Sequence, residues 1–100
     1  NAEEQASAAV IHRALIQAKS AYKEGERSAA KLADVVRSTV ETEPRARLDY
    51  VAIADAETLE PLDRIDERPT LIAVAAYIGK TRLIDNTILN KVKKKEAAPQ

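Results

Sequence analysis

Few residues in this sequence have types and spacings that could support chemistry. Gly79-Lys80-Thr81 has the ending of a phosphate-binding loop, but that motif needs a glycine five positions before Gly79, where the chain has Val74. The only other glycine is Gly25, so no glycine-rich nucleotide cradle can be assembled, and Gly79-Lys80 reads as turn chemistry. His12 is the single histidine, with neither a second imidazole nor a carboxylate one helical turn away to share a metal. A semi-exposed surface histidine is the plain reading. Lys91, Lys93, Lys94 and Lys95 form a basic tail, but no aromatic residue is interleaved and Glu96 follows at once. That pattern suits a solvated end better than a nucleic-acid grip.

Arg82, Asp85 and Asn86 are more informative, because Asp and Asn are poor strand formers inside an otherwise strand-like run. In one reading Arg82 lies over Tyr77 across a hairpin, with Asp85 and Asn86 at a bulge or sheet edge. In the other, they hydrogen-bond to another domain. Tyr77, Arg82, Asp85 and Asn86 are therefore candidate domain-interface residues. Asp49 and Tyr50 carry the same ambiguity. A self-sufficient enzyme using Arg82, Asp85 and Tyr77 would need those groups held together in a pocket with tuned pKa values. No catalytic residue, no cofactor-binding residue and no metal ligand is assigned.

Composition narrows the classes further. The chain has 100 residues, enough for one modest core, with 16 Lys+Arg against 16 Asp+Glu and a formal net charge of +0. No global field steers nucleic acid or an anionic membrane toward it. Cysteine is absent, which rules out disulfides and thiolate metal sites. No apolar run approaches the roughly 18 residues of a membrane span, and the acidic start NAEEQASAAV is unlike a secretory signal. The expectation is a soluble, cytoplasmic chain. Without Phe, Trp or Met, its core must be built from Ala, Val, Leu and Ile.

The elements that must position these residues follow from periodicity. Thr70 to Leu89 is the densest collection of aliphatic and β-branched residues and predicts two strands folded back at Gly79-Lys80. A two-residue loop with glycine first predicts a type II′ turn. It sets Ile78 opposite Thr81, Tyr77 opposite Arg82, Ala76 opposite Leu83, Ala75 opposite Ile84 and Val74 opposite Asp85. Alternation then places Leu71, Ala73, Ala75, Tyr77, Ile84 and Ile88 on one face and Ile72, Val74, Ala76, Ile78 and Leu83 on the other. Both faces are apolar.

Upstream, Ala8, Ile11, Leu15, Ala18 and Tyr22 recur at helical spacing and predict a helix over Ala2 to Glu24, closed by Gly25. Ser28 is a suitable N-cap for a second helix running to about Glu43, which Pro44 stops. Leu48 to Ala54 predicts a strand with Val51 and Ile53 on one side and Leu48 and Tyr50 on the other. DAETLEPL, from Asp55 to Leu62, reads as a short turn or 3₁₀ segment before the charged loop Asp63 to Arg68. The expected fold is α+β: a helical hairpin packed on one face of a three-stranded antiparallel sheet. Residues 1–90 form the domain and 91–100 a frayed basic tail. Two helices cover one face only, which leaves an apolar sheet face for a docking partner or a homodimer.

AVAAYIGKTRLIDN, LDYVAIADAETLEPL at Leu48 to Leu62 and GERS at Gly25 to Ser28 together resemble the C-terminal domain of the pantoate beta-alanine ligase family. RLIDN at Arg82 to Asn86 is the most specific part. The resemblance implies a lid over an N-terminal catalytic domain that activates pantoate with ATP and Mg²⁺ and passes the pantoyl-adenylate to beta-alanine. The family's His-x-Gly-His motif and Ser-Arg nucleotide segment belong to that N-terminal domain, and neither is in this chain. The implied fragment is therefore inactive alone, binds no cofactor itself, and has its own catalytic domain as partner.

Overall fold

A computed structural model describes residues 2–90, apart from the Glu3 side chain. Helices α1 (Ala2–Lys23) and α2 (Ala29–Val40) precede strands β1 (Ala46–Asp55), β2 (Thr70–Ile78) and β3 (Thr81–Leu89). The sheet order is β1-β2-β3, antiparallel throughout, with both helices on one face. This is the α+β arrangement that the periodicities predict. The basic tail expected at 91–100 lies outside the described residues.

Each local signal acts through a specific contact. Gly25 has φ +115, a conformation open to glycine, and the Glu26 N–H returns to the Ala21 carbonyl at 3.0 Å to close α1. The Ser28 hydroxyl accepts the Lys31 N–H at 3.3 Å and caps α2. α2 ends at Val40, before Glu43, and turns carry the chain past Pro44. The Gly79-Lys80 loop gives every hairpin pair expected of it, from Ile78↔Thr81 to Val74↔Asp85. Gly79 has φ +61 while Lys80 keeps a negative φ, as a type II′ turn requires.

The core lies between the helices and one sheet face. Leu32, Val36 and Val40 of α2 and Ile72, Val74 and Ile78 of β2 are all at most 1 % exposed. Ile11, Leu15 and Ala18 of α1 are buried as expected, but Val10, Ala14 and Ser7 are buried with them, while Ala8 and Tyr22 are only partly covered. α1 packs against α2 and the sheet at once, so it needs a wider stripe than a single-partner helix.

Two departures from simple periodicity matter. The β1–β2 register shifts between Leu48 and Tyr50, so Asp49 is the extra residue of a β-bulge. Leu48, paired with Ala76, therefore joins Val51 and Ile53 against the core, and not Tyr50 as alternation suggests. The charged loop before β2 also hides an anchor. Ile65 is 3 % exposed, its N–H bonds the Arg27 carbonyl at 2.8 Å, and the Ala29 N–H bonds the Asp63 carbonyl at 2.9 Å. The loop thereby clips onto the α1–α2 link.

Candidate functional site

The sheet face turned away from the helices is the candidate site. Its residues follow from the register: Tyr50, Ala52 and Ala54 on β1, Leu71, Ala73, Ala75 and Tyr77 on β2, and Arg82, Ile84, Asn86 and Ile88 on β3. Tyr50 is 40 % and Ile84 55 % exposed. Large side chains are thus open to water on this face, whereas Ile72, Val74, Ala76 and Ile78 on the opposite face of β2 are buried.

A row of three residues crosses this face near the hairpin tip: Arg47 pairs with Tyr77, and Tyr77 with Arg82. The Arg47 guanidinium lies 4.7 Å from the Tyr77 ring centroid. Arg82 reaches across the central strand to β1, where its Nε donates to Asp49 Oδ2 at 2.9 Å and its guanidinium lies 5.8 Å from the Tyr50 ring centroid. Arg82 is therefore not stacked on Tyr77, as expected from the hairpin alone; Arg47 takes that ring. The bulge turns Asp49 and Tyr50 toward the same arginine. The hydrogen bond from Arg82 to Asp49 raises the guanidinium pKa beyond its already high ordinary value.

The four candidate interface residues do not stay together. Tyr77, Arg82 and Asn86 lie on the open face, whereas Asp85, opposite Val74, points to the helix-covered side. There Asp85 Oδ1 accepts the Asn86 backbone N–H at 2.8 Å and Oδ2 lies 3.7 Å from His12 Nδ1 on α1. That separation is too long for a hydrogen bond, and with side-chain exposures of 73 % and 44 % the pair is a weak surface contact. β3 is an edge strand, so Asp85 and Asn86 do sit at a sheet edge, but the bulge is in β1.

A second polar cluster lies at the other end of the sheet. Asp55, 8 % exposed, accepts the Glu57 and Thr58 N–H groups at 2.7 and 3.1 Å, and Arg68 Nη1 at 3.2 Å. The Thr58 and Glu57 N–H groups lower its pKa below the ordinary 3.8, with Arg68 adding to the effect against the opposing influence of burial. Arg68 also donates to Asp66 at 2.9 Å, and the Arg68 N–H with that side-chain bond lowers the Asp66 pKa too. DAETLEPL forms a tight turn rather than a 3₁₀ helix; it returns through Leu59 at φ +65 to bridge Ala54 with Pro61. Asp55 and Asp66 are both engaged by donors within this loop, which is the geometry of a loop brace.

Among the described residues, no three His, Cys, Asp or Glu side chains converge as metal ligands would. Lys80 stands at the exposed hairpin tip. No helix among them is long and apolar enough to cross a membrane. Sequence reasoning missed Arg47, because strict alternation through Leu48 and Asp49 hides which face it shares.

Residues 1–88 match the family described as pantoate-beta-alanine ligase. The chain belongs to that family. It is 44 % identical over 89 residues to the pantothenate synthetase of Herpetosiphon aurantiacus, covering 89 % of this chain and 32 % of that protein. It is 46 % identical over 90 residues to that of Pelotomaculum thermopropionicum, again covering 32 % of the relative. Among solved structures, pantothenate synthetase from Thermus thermophilus superposes with a TM-score of 0.73 at 30 % identity, over 87 % of this chain and 31 % of that one. The chain thus spans about a third of the length of the ligases it matches.

Proposed function

We propose that this chain is the C-terminal lid of an ATP-dependent pantoate beta-alanine ligase and has no ligase activity alone. The carrying observation is a sheet with one face packed under the helices and one open, partly apolar face, in a chain that spans 32 % of its relative. An unpartnered face of this kind suits contact with the remainder of such an enzyme.

In the proposed reaction the pantoate carboxylate attacks the α-phosphorus of ATP and pyrophosphate leaves. The amine of beta-alanine then attacks the acyl carbon, AMP leaves with the bond electrons, and the amine loses a proton. ATP, Mg²⁺ and both substrates are held by the rest of the enzyme. The lid excludes water from the adenylate, which hydrolysis would return to pantoate and AMP. Its residues position and cover; none is given a role in bond making.

Removing residues 1–90 from the full-length ligase tests this reading. Expected is a large fall in pantothenate formed per AMP released, restored when the domain is tethered back through a linker. An unchanged ratio after removal, or no gain from tethering, refutes the lid. Sedimentation of the chain alone tests the competing use of the same face, a homodimer, which a mass independent of concentration excludes.

A further inference from the structure

On the open face, one of two arginines has its charge answered within the domain and the other does not. Arg82 is paired with Asp49 at 2.9 Å. Arg47, its counterpart across Tyr77, has no carboxylate partner among the described residues; its guanidinium is held 4.7 Å from the Tyr77 ring centroid. Arg47, Arg82 and Asp49 together leave one net positive charge on a face whose other exposed groups include Tyr50 and Ile84. Stacking restrains the Arg47 side chain in advance, which lowers the ordering cost of an incoming contact.

Resting on the lid reading above, the geometry points to Arg47 as the anchor through which the open sheet face docks on a carboxylate side chain of the remainder of the ligase. Two observations favour a carboxylate on a protein surface over a free phosphate. Asp49 stands inside the cluster and would repel a small, multiply charged anion. A docking protein surface also covers the tyrosines and Ile84, and the apolar burial strengthens the ion pair by excluding water. Arginine and tyrosine are the residue types that dominate such contacts. About two thirds of the length of each relative lies outside the matched region and can supply that surface.

The test uses the full-length ligase with Arg47→Glu, Arg47→Lys, Lys31→Glu and the deletion of residues 1–90. Lys31→Glu makes the same charge change on an exposed position of α2, away from the sheet face. Arg47→Glu is expected to lower pantothenate per AMP about tenfold at low salt, because reversal sets like charges together at the interface. Arg47→Lys falls between it and the wild type, Lys31→Glu matches the wild type, and raising ionic strength to about 0.5 M narrows the gap by screening.

Coupling that survives Arg47→Glu but fails on deletion overturns the anchor and leaves the lid standing. Coupling that survives deletion overturns the lid itself. Equal losses in Arg47→Glu and Lys31→Glu also overturn the anchor. So does calorimetric binding of inorganic pyrophosphate that Arg47→Lys abolishes, since the face is then a small-anion site. Should Arg47→Glu fail to fold in a thermal scan, Arg47→Lys and the salt series decide.

Discussion

The two faces of β2 are built from similar residues and live in different environments. Ile72, Val74 and Ile78 are at most 1 % exposed under the helices, while Leu71, Ala73 and Tyr77 on the opposite face are only partly covered. Burial of the first set drives folding, because apolar area leaving water contributes about 25 cal/mol per Å². The second set retains accessible surface, and that remainder is available to a partner. Hydrophobicity along a strand therefore identifies material for contact without revealing whether the contact lies within the domain or beyond it.

Substitutions on the two faces sharpen this contrast. Leu32→Ala or Ile72→Ala should destabilise the chain by about 2–5 kcal/mol in urea denaturation, because each leaves a cavity under a fully buried side chain. Ile84→Ala should shift stability by no more than about 0.5 kcal/mol, since its side chain is already largely in water. An equally large loss from Ile84→Ala would show that the open face is core in solution, as in a homodimer.

Smaller effects test the devices that hold the faces in register. Gly79→Ala should cost about 1–2 kcal/mol, because a side chain at φ +61 strains the hairpin turn, although its added methyl would meet only Glu4 Oε2 at 3.5 Å. Ser28→Ala should cost about 1 kcal/mol through loss of the α2 cap, measured by the same denaturation. Leu59→Gly should raise stability by about 0.5–1 kcal/mol, relieving the left-handed backbone at φ +65 in an exposed turn.

Asp55 gives the pH dependence. Its folded pKa is depressed below 3.8, so its stabilising effect is complete above the ordinary carboxylate range and is lost as pH falls through that range to the folded value. Asp66 acts in the same direction. Between about pH 5 and 2, the urea midpoint of wild type should fall more steeply than that of Asp55→Asn, which has no carboxylate to protonate. Parallel curves would show that the brace formed with Arg68 does not persist in solution.

Much of the fold was legible from local chemistry. Gly25, Ser28 and Gly79 each act within four residues of themselves, so their effects could be read without knowing the rest of the chain. The hairpin register followed from one turn for the same reason. The candidate site was only half legible: Tyr77, Arg82 and Asn86 lie on the open face, but Asp85 does not, and Arg47 was not recognised. The β1 bulge accounts for that last omission, since one extra residue exchanges the faces of everything before it. Ile65 was hidden by its charged neighbours in the loop.

What the sequence alone determined is therefore the set of elements, their caps, the hairpin pairing, and the prospect of a sheet with two apolar faces. These depend on residues close in the chain, where spacing translates directly into geometry. Only the tertiary structure decided which face the helices cover, that Arg82 spans the sheet to Asp49, and that Arg47 takes Tyr77 without a carboxylate partner among the described residues. Those outcomes join positions some 30 residues apart, and a single register shift in β1 sets which of them can meet.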